Sequence, residues 1–280
     1  MNACKYVLCK KECLNTLFHI EGAEEDKGDI LLCEWGAAHC CIAWYHEQAK
    51  SISHLHYISF DNLGDSMIQH IIEALSERSA DASKIVLCSS FAQSVLIPAR
   101  LYESGHHLVQ ELFGAEFSRE LTDPINEWQL VNAYAFPEAI AGQLSKKFPD
   151  ARYMHVHTPE LKIYNGFVSE SQVSIHFSPR HFRVIVKREG KLQLAQIYNY
   201  TAPLDVVYYL LKIFEEFDLH KDDTPLILSG LIDEASSLFT EVESYFVDVH
   251  FAQPAGVNVG GQDYPPHFFS SMYNLAICAS

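Results

Sequence analysis

The sequence predicts an α/β protein made of two similar halves, and three observations carry that expectation. Short apolar runs of strand length alternate with helices that show a single apolar stripe. The strongest of these patterns recur half a chain later. The composition suits a packed core: of 280 residues, 48% are apolar and 20% charged, an ordinary globular balance.

The opening, residues 1–20, is irregular, and residues 21–29 form a charged, Gly-containing stretch that reads as a loop. Residues 30–33 and 40–45 then read as strands, and residues 52–60 as an alternating third. Asp61 or Asn62 is expected to cap a helix. Its apolar face is Met67, Ile68, Ile71, Ile72 and Leu75, the spacing of one helical stripe. Residues 84–88 (KIVLC) are apolar without alternation, as in a buried parallel strand.

The second half starts the same series again. Residues 173–177 and 181–187 read as strands, joined to a third at 192–200 through Arg188-Glu189-Gly190-Lys191. Gly190 in that turn supplies the positive φ that tight hairpins use. Pro203 stands at a helix start, followed by the stripe Val207, Leu210, Leu211 and Phe214. Residues 225–228 (PLIL) form a buried strand ended by Ser229-Gly230. Ile68, Ile71, Ile72 and Leu75 map onto the second stripe at an offset of 139, and Ile85, Val86 and Leu87 map onto Leu226, Ile227 and Leu228 at 141.

A duplicated β-β-β-α-β-α unit is the topology of the ribonuclease H-like half-domain, and two such halves facing each other make the actin-like ATPase fold. Between the halves, residues 128–136 (WQLVNAYAF) read as a strand, 138–147 as a helix, 151–156 as a strand and 159–164 as a short helix. That run resembles the end of the first half in the actin-like proteins of type IV pilus assembly and cell division. The expected organisation is an N-terminal extension (1–29), a first half (30–168) and a second half (169–280), divided near 165–171.

Three stretches carry a family resemblance: residues 181–230 (HFRVIVKREGKLQLAQIYNYTAPLDVVYYLLKIFEEFDLHKDDTPLILSG), residues 90–102 with Ser90-Phe91, Val95-Leu96-Ile97-Pro98 and Leu101-Tyr102, and the C-terminal PPHFFSSMYNLAICAS. Together they resemble an uncharacterised, mostly Bacteroidetes family, a domain of unknown function with an actin-like ATPase fold. The likeness covers most of residues 30–280. It implies a fold and brings no assigned activity.

Active members of the wider fold carry an Asp-x-Gly at the first hairpin of each half and a Gly-Gly under the adenosine. The glycine admits backbone N–H groups to phosphate, and the aspartate holds hydrated Mg²⁺ or the attacking water. Here the first hairpin reads Cys33-Glu34-Trp35-Gly36-Ala37, keeping Gly36 and placing Glu34 at the acidic position. The second reads His176-Phe177-Ser178-Pro179, so His176 and Ser178 replace Asp and Gly, and Pro179 removes an N–H. The adenosine turn is Ser229-Gly230-Leu231, with Leu231 where the second glycine stands. Glu34, Gly36, His176, Ser178, Ser229 and Gly230 are thus the candidate cleft residues for ATP with Mg²⁺. Two of three pieces are altered. The sequence therefore favours a non-catalytic interaction or scaffold protein over a divergent nucleotide-binding ATPase or phosphotransferase with Glu34 and His176 as facing groups.

Other constellations are weaker. Cys4, Cys9 and Cys13, near His19, lack a Cys-x2-Cys pair and read as packed thiols rather than a metal centre. His54-x-His56 and His155-x-His157 read as exposed strand histidines, and residues 256–261 (GVNVGG) as a surface loop. No Gly-x-Ser-x-Gly elbow is present.

Lys and Arg number 20 against 36 Asp and Glu, a net charge of −16, which argues against a nucleic-acid partner. The same excess would repel nucleotide phosphates, although Arg180, Lys187 and Arg188 lie on the second-half hairpin. No apolar run approaches membrane-spanning length, so a cytoplasmic protein with reduced thiols is expected. Tyr208, Tyr209, Phe214 and Phe217 make the second-half helix apolar beyond one stripe, and Phe268-Phe269 raise the same question. Such faces are covered by the other half or by a protein partner, a homodimer included.

Overall fold

The structure, a computed structural model, describes residues 14–22, 29–102, 108–114, 117, 119–164, 170–253, 258–259 and 264–279. Two sheets repeat one strand order. In the first, β2 (Ile30–Trp35), β3 (His39–His46) and β4 (Ser51–Phe60) form an antiparallel meander. A helix, α1 (Asp65–Ser79), then crosses over, and β5 (Lys84–Ser89) returns parallel to β2. After α3 (Glu138–Lys147), β9 (Arg152–His155) pairs parallel to β5.

The second sheet repeats this with β10 (Gln172–Phe177), β11 (His181–Arg188), β12 (Lys191–Asn199), α5 (Pro203–Glu216), β13 (Leu226–Gly230), α6 (Ser237–Glu243) and β14 (Val249–Phe251). The order β4-β3-β2-β5-β9 in one sheet is β12-β11-β10-β13-β14 in the other. The duplication read from two helical stripes and two strands therefore extends to the whole topology.

Strand alternation decides what each sheet face meets. Leu31, Cys33 and Trp35 point into a core with α1 and α3, and all five residues of the α1 stripe are buried there. Phe182, Val184 and Val186 point into the equivalent core under α5 and α6. The buried stripe of α5 is Val206, Val207, Leu210, Ile213 and Phe214, each worth roughly 1.5–3 kcal/mol of burial. Leu211, placed in that stripe by periodicity, is 37% exposed. Its partner-free position lies one helical step outside the face that the sheet covers.

The opposite faces of the two sheets look toward each other. Between them lie α4 (His157–Tyr164) and α7 (Ser270–Ala279), packed together. The C-terminal helix α7 contributes Met272, Leu275, Ala276 and Ala279 to a core with Ile30 and Leu32 of the first sheet. A third sheet, β6 (Ser94–Pro98), β7 (Leu121–Ile125) and β8 (Leu130–Tyr134), with α2 (Leu108–Phe113), is inserted after β5. Ile125, Trp128 and Leu130 of this insert pack on Ile185, Leu192 and Ala195 of the second sheet.

Several local expectations are corrected. The stretch read as one strand over 128–136 is β8 preceded by a 3-10 turn, Asn126–Trp128, that ends at Gln129 with φ 54°. Helix α1 starts at Gly64 with no side-chain cap; Asp61 and Asn62 lie too far before it, and Asp65 in the first turn supplies the favourable charge instead. The opening residues include β1 (Leu14–Ile20), antiparallel to β4. In the GVNVGG stretch, β15 (Asn258–Val259) pairs parallel to β4 next to it. Both are edge pairings made by backbone, so they leave little apolar pattern to read. No helix among the described residues is long and apolar enough to cross a membrane.

Candidate functional site

The period of two that buries Leu31, Cys33 and Trp35 forces Glu34 onto the other face of β2. The same period in β10 and β11 turns His176 and Arg183 away from the core of Val173, Ile175, Phe177, Phe182 and Val184. These side chains meet between the sheets, and all are buried.

Arg183 is the hub. Its Nη1 donates to Glu34 Oε1 at 3.1 Å and to Ser90 Oγ at 3.2 Å. Its Nε donates to Glu160 Oε1 at 2.9 Å and its Nη2 to Ser271 Oγ at 2.9 Å. Nη2 also stands 2.7 Å from Glu160 Oε1. Every nitrogen of the guanidinium is engaged, and each carboxylate meets it through one oxygen, Oε1. Ser271 in turn donates to Glu34 Oε2, and His39 Nε2 lies 3.2 Å from Glu34 Oε1. His157 Nδ1 stands 3.8 Å from Glu160 Oε2. One residue of the second sheet is thereby tied to β2, to the segment after β5, to α4 and to α7.

Charge states follow from these contacts. Burial opposes ionisation of Glu34, but Arg183 and the His39 hydrogen bond override it and hold the carboxyl well below its usual range. Glu160 shows the same balance, with burial overridden by Arg183 and His157, and falls to about 2. Burial, and then Arg183, push His176 down to about 3, so it is neutral. Burial likewise lowers His155 and His181. Two carboxylates thus face one guanidinium, with His39 and His157 beside them.

The hairpin tips are equivalent in backbone. Gly36 N donates to His39 O at 2.9 Å, and Ser178 N donates to His181 O at 2.9 Å. Each tip therefore uses for its own closure an N–H that a phosphate loop would present. Gly36 has a local reason: a Cβ there would come within 2.5 Å of His39 Cε1. The His39 ring lies 5.3 Å from that of His181, centroid to centroid. Gly230 has φ +76°, and its Cβ would stand 2.2 Å from Phe177 O, so glycine is required where β13 ends beside β10. Ser229 donates to Ile175 O at 3.0 Å and lies 3.1 Å from His176 Nδ1. At the mouth, Arg180 of the second tip pairs with Asp61 at the end of β4.

Of the six candidate residues, the structure brings Glu34, His176 and Ser229 to the space between the sheets. Gly36, Ser178 and Gly230 serve the backbone of the hairpins and of the strand end. Glu34 has both oxygens occupied by protein donors, Arg183 and His39 on one and Ser271 on the other, which leaves it poorly placed for a hydrated metal.

Arg183, Glu160, Ser271, His39 and Ser90 were not singled out by the sequence. One signal was available for Arg183: a lone cation inside HFRVIVK, a strand otherwise apolar to Val186. His155 and His157, read as exposed, are buried. His155 Nε2 meets Phe91 O at 2.9 Å, and its backbone N–H donates to Asp123 at 2.9 Å. They stand where β9 runs into α4; β9 is the outer strand of its sheet, but the insert packs against it through β7 and both imidazoles lie inside the molecule. Among the described residues no cluster of three or more metal-ligating side chains occurs. Cys4, Cys9 and Cys13 lie outside the described residues, and His19 is hydrogen-bonded to Glu21 at 2.6 Å.

Comparison with known proteins agrees with this architecture. Residues 23–249 match the family described as "Protein of unknown function (DUF3822)". The chain is similar to a Bacteroides thetaiotaomicron protein of unknown function with an actin-like ATPase fold, at 15% identity and a TM-score of 0.74, over 91% of this chain and 97% of that one. It is also similar to a chain of the PilM-PilN type IV pilus biogenesis complex, at 12% identity and a TM-score of 0.60, over 90% of this chain and 99% of that one. These likenesses establish an actin-like ATPase fold. No curated protein matches the sequence.

Proposed function

The chain belongs to the DUF3822 family, whose function is unknown, and from that premise we propose that it is a non-catalytic interaction protein whose nucleotide cleft is filled by its own side chains. One observation carries the reading. Arg183, from the second half, occupies the space between the two hairpin tips with Glu34 and Glu160 as its counter-ions. A bound nucleotide needs cationic and N–H donors for its phosphates. Here the arginine is saturated and the tips are closed on themselves.

What such a molecule offers is a rigid bilobed surface. Helix α5 exposes Leu204, Tyr208 and Leu211, spaced to form one stripe, and this stripe is the surface we assign to a protein partner, with a second copy of the chain as one candidate. A chain of the same fold occurs in a complex named for two proteins, PilM and PilN, which fits this use of the fold. We place the protein in the cytoplasm and give it no nucleic-acid partner.

Thermal denaturation with Mg-ATP, Mg-ADP and Mg-GTP tests the reading, because any ligand of the folded state raises the melting point by linkage. No shift is expected at millimolar nucleotide. A Mg²⁺-dependent rise that disappears in Glu34→Ala would establish the nucleotide-binding alternative instead.

A further inference from the structure

We propose that the cavity between the second sheet and helices α4 and α7 is a binding site for a small amphipathic amine or amide, an N–H-bearing head on an apolar body. The cavity measures about 400 Å³, within the range of small-molecule sites. Ile185 and Ile227 of the sheet, Ile163 of α4 and Ile277 of α7 supply apolar wall. Residues 35–39 and 177–182 of the two hairpin tips contribute none of it, while His176, Arg183 and Ser229 do, so this inference rests on the reading above that the arginine fills the nucleotide cleft.

Three polar groups without hydrogen-bond partners among the described residues line this apolar space: the Nε2 side of His176, the Tyr273 hydroxyl and the Asn274 amide. Their residues come from two elements, β10 and α7. The state of His176 is set by its neighbours. Ser229 spends its proton on Ile175 O, so its oxygen accepts from His176 Nδ1–H. Nε2 is then a bare acceptor on a side chain that is only 8% exposed. An imidazole so buried stays neutral near pH 7, with its pKa lowered to about 3 by burial and by Arg183.

The hydrogen-bonding capacity of the wall selects the head group. Arg183 and Glu160 both line the cavity and pair with each other, and the guanidinium has no free N–H for an anion. A carboxylate or phosphate therefore finds no unpaired cation and meets the bare acceptor of His176, whereas an amine or amide donates to His176 Nε2. Tyr273 and Asn274 can each donate and accept, and so complete the polar contacts. Ile277, 42% exposed, and the half-buried Asn274 stand at the mouth.

Saturation-transfer NMR on the full chain tests this with three matched probes: phenethylamine, phenylacetamide and phenylacetate. The expected result is transfer to the amine and the amide, mutual competition between them, and none to phenylacetate. Ile277→Trp, a change at an exposed helix position that plugs the mouth, should abolish both signals. His176→Leu should weaken them about tenfold, the loss of one hydrogen bond, with its melting curve checking that it folds. Transfer to phenylacetate, transfer that survives Ile277→Trp, or transfer to no probe overturns the proposal.

Discussion

The tip of the β2–β3 hairpin and the tip of the β10–β11 hairpin are the same structure with opposite chemistry. Glu34 and His176, Gly36 and Ser178, His39 and His181, and Cys41 and Arg183 each stand 142 residues apart. Glu34 pairs across its hairpin with Cys41 as His176 pairs with Arg183. In the first half the inward position of the leading strand is the acid and its cross-strand neighbour a neutral thiol. In the second the leading position is a neutral imidazole and its neighbour the cation. The two equivalent scaffolds face one another, and the differences at two of these positions, Glu34 against His176 and Cys41 against Arg183, make them complementary halves of an ionic bridge. The lesson is that a retained backbone need not mean retained phosphate chemistry. Gly36 accommodates His39, and Arg183 spends every guanidinium nitrogen on protein partners.

Removing the hub should break that complementarity most. Arg183→Met leaves two buried carboxylates without their cation, an effect of about 3–5 kcal/mol, measurable by urea denaturation. The triple variant Arg183→Met, Glu34→Gln, Glu160→Gln, which also removes the charges left behind, should recover much of that loss.

Acid should act next, and on both halves. His155, His176 and His181 are held neutral by burial, His176 down to about 3 from 6.5. Their contribution is complete above pH 6.5 and is lost below it, because the unfolded chain takes up protons that the folded one refuses. His176 costs about 2 kcal/mol by pH 5, and His155 and His181 add to it in the same direction. Glu34 and Glu160, held low in the folded state, contribute fully above pH 4.5 and lose that contribution as pH falls toward 2. Melting temperature against pH should therefore be flat between about 7 and 8, fall from 6.5 and fall again below 4.5. The thiols of Cys41 and Cys88, pushed up by burial, and of Cys33, pushed up by its contact with Cys40 and by burial, make it fall in alkali as well.

The two glycines sharpen the contrast at a smaller scale. Gly36→Ala forces the buried His39 ring aside, roughly 1–3 kcal/mol of overpacking. Gly230→Ala meets a carbonyl oxygen and an unfavourable positive φ together, so its loss should be the larger of the two by chemical denaturation. The smallest effect belongs to the exposed pair at the mouth. Arg180→Ala or Asp61→Ala should change stability by less than about 1 kcal/mol, and a comparable loss to that of Arg183→Met would relocate the bridge from the interior to the rim.

Much of the fold was legible because it rests on apolar periodicity. The α1 stripe, KIVLC at β5, HFRVIVK at β11 and PLIL at β13 each carry a core face, and a core face is written locally. What could not be read was set by distant backbone or by a single polar residue. β1 and β15 are recruited by the edge of β4, and α7, apolar on several sides, takes its place between the sheets only once both exist. At the candidate site, hairpin positions exposed Glu34 and His176, and the turn ending β13 exposed Ser229. Arg183, Glu160 and Ser271 come from β11, α4 and α7, which lie far apart in sequence and bear no shared motif. Their meeting is a consequence of the closed arrangement, and Glu34 finds Arg183 at a separation of 149 residues.

The account turns on whether Arg183 and Glu34 bind each other across the halves, and a double-mutant cycle on their stabilities measures that directly. With Arg183→Met, Glu34→Gln and the double variant in urea, a coupling of about 2 kcal/mol or more is expected for a desolvated, hydrogen-bonded ion pair. Additive losses, with coupling near zero, would contradict it.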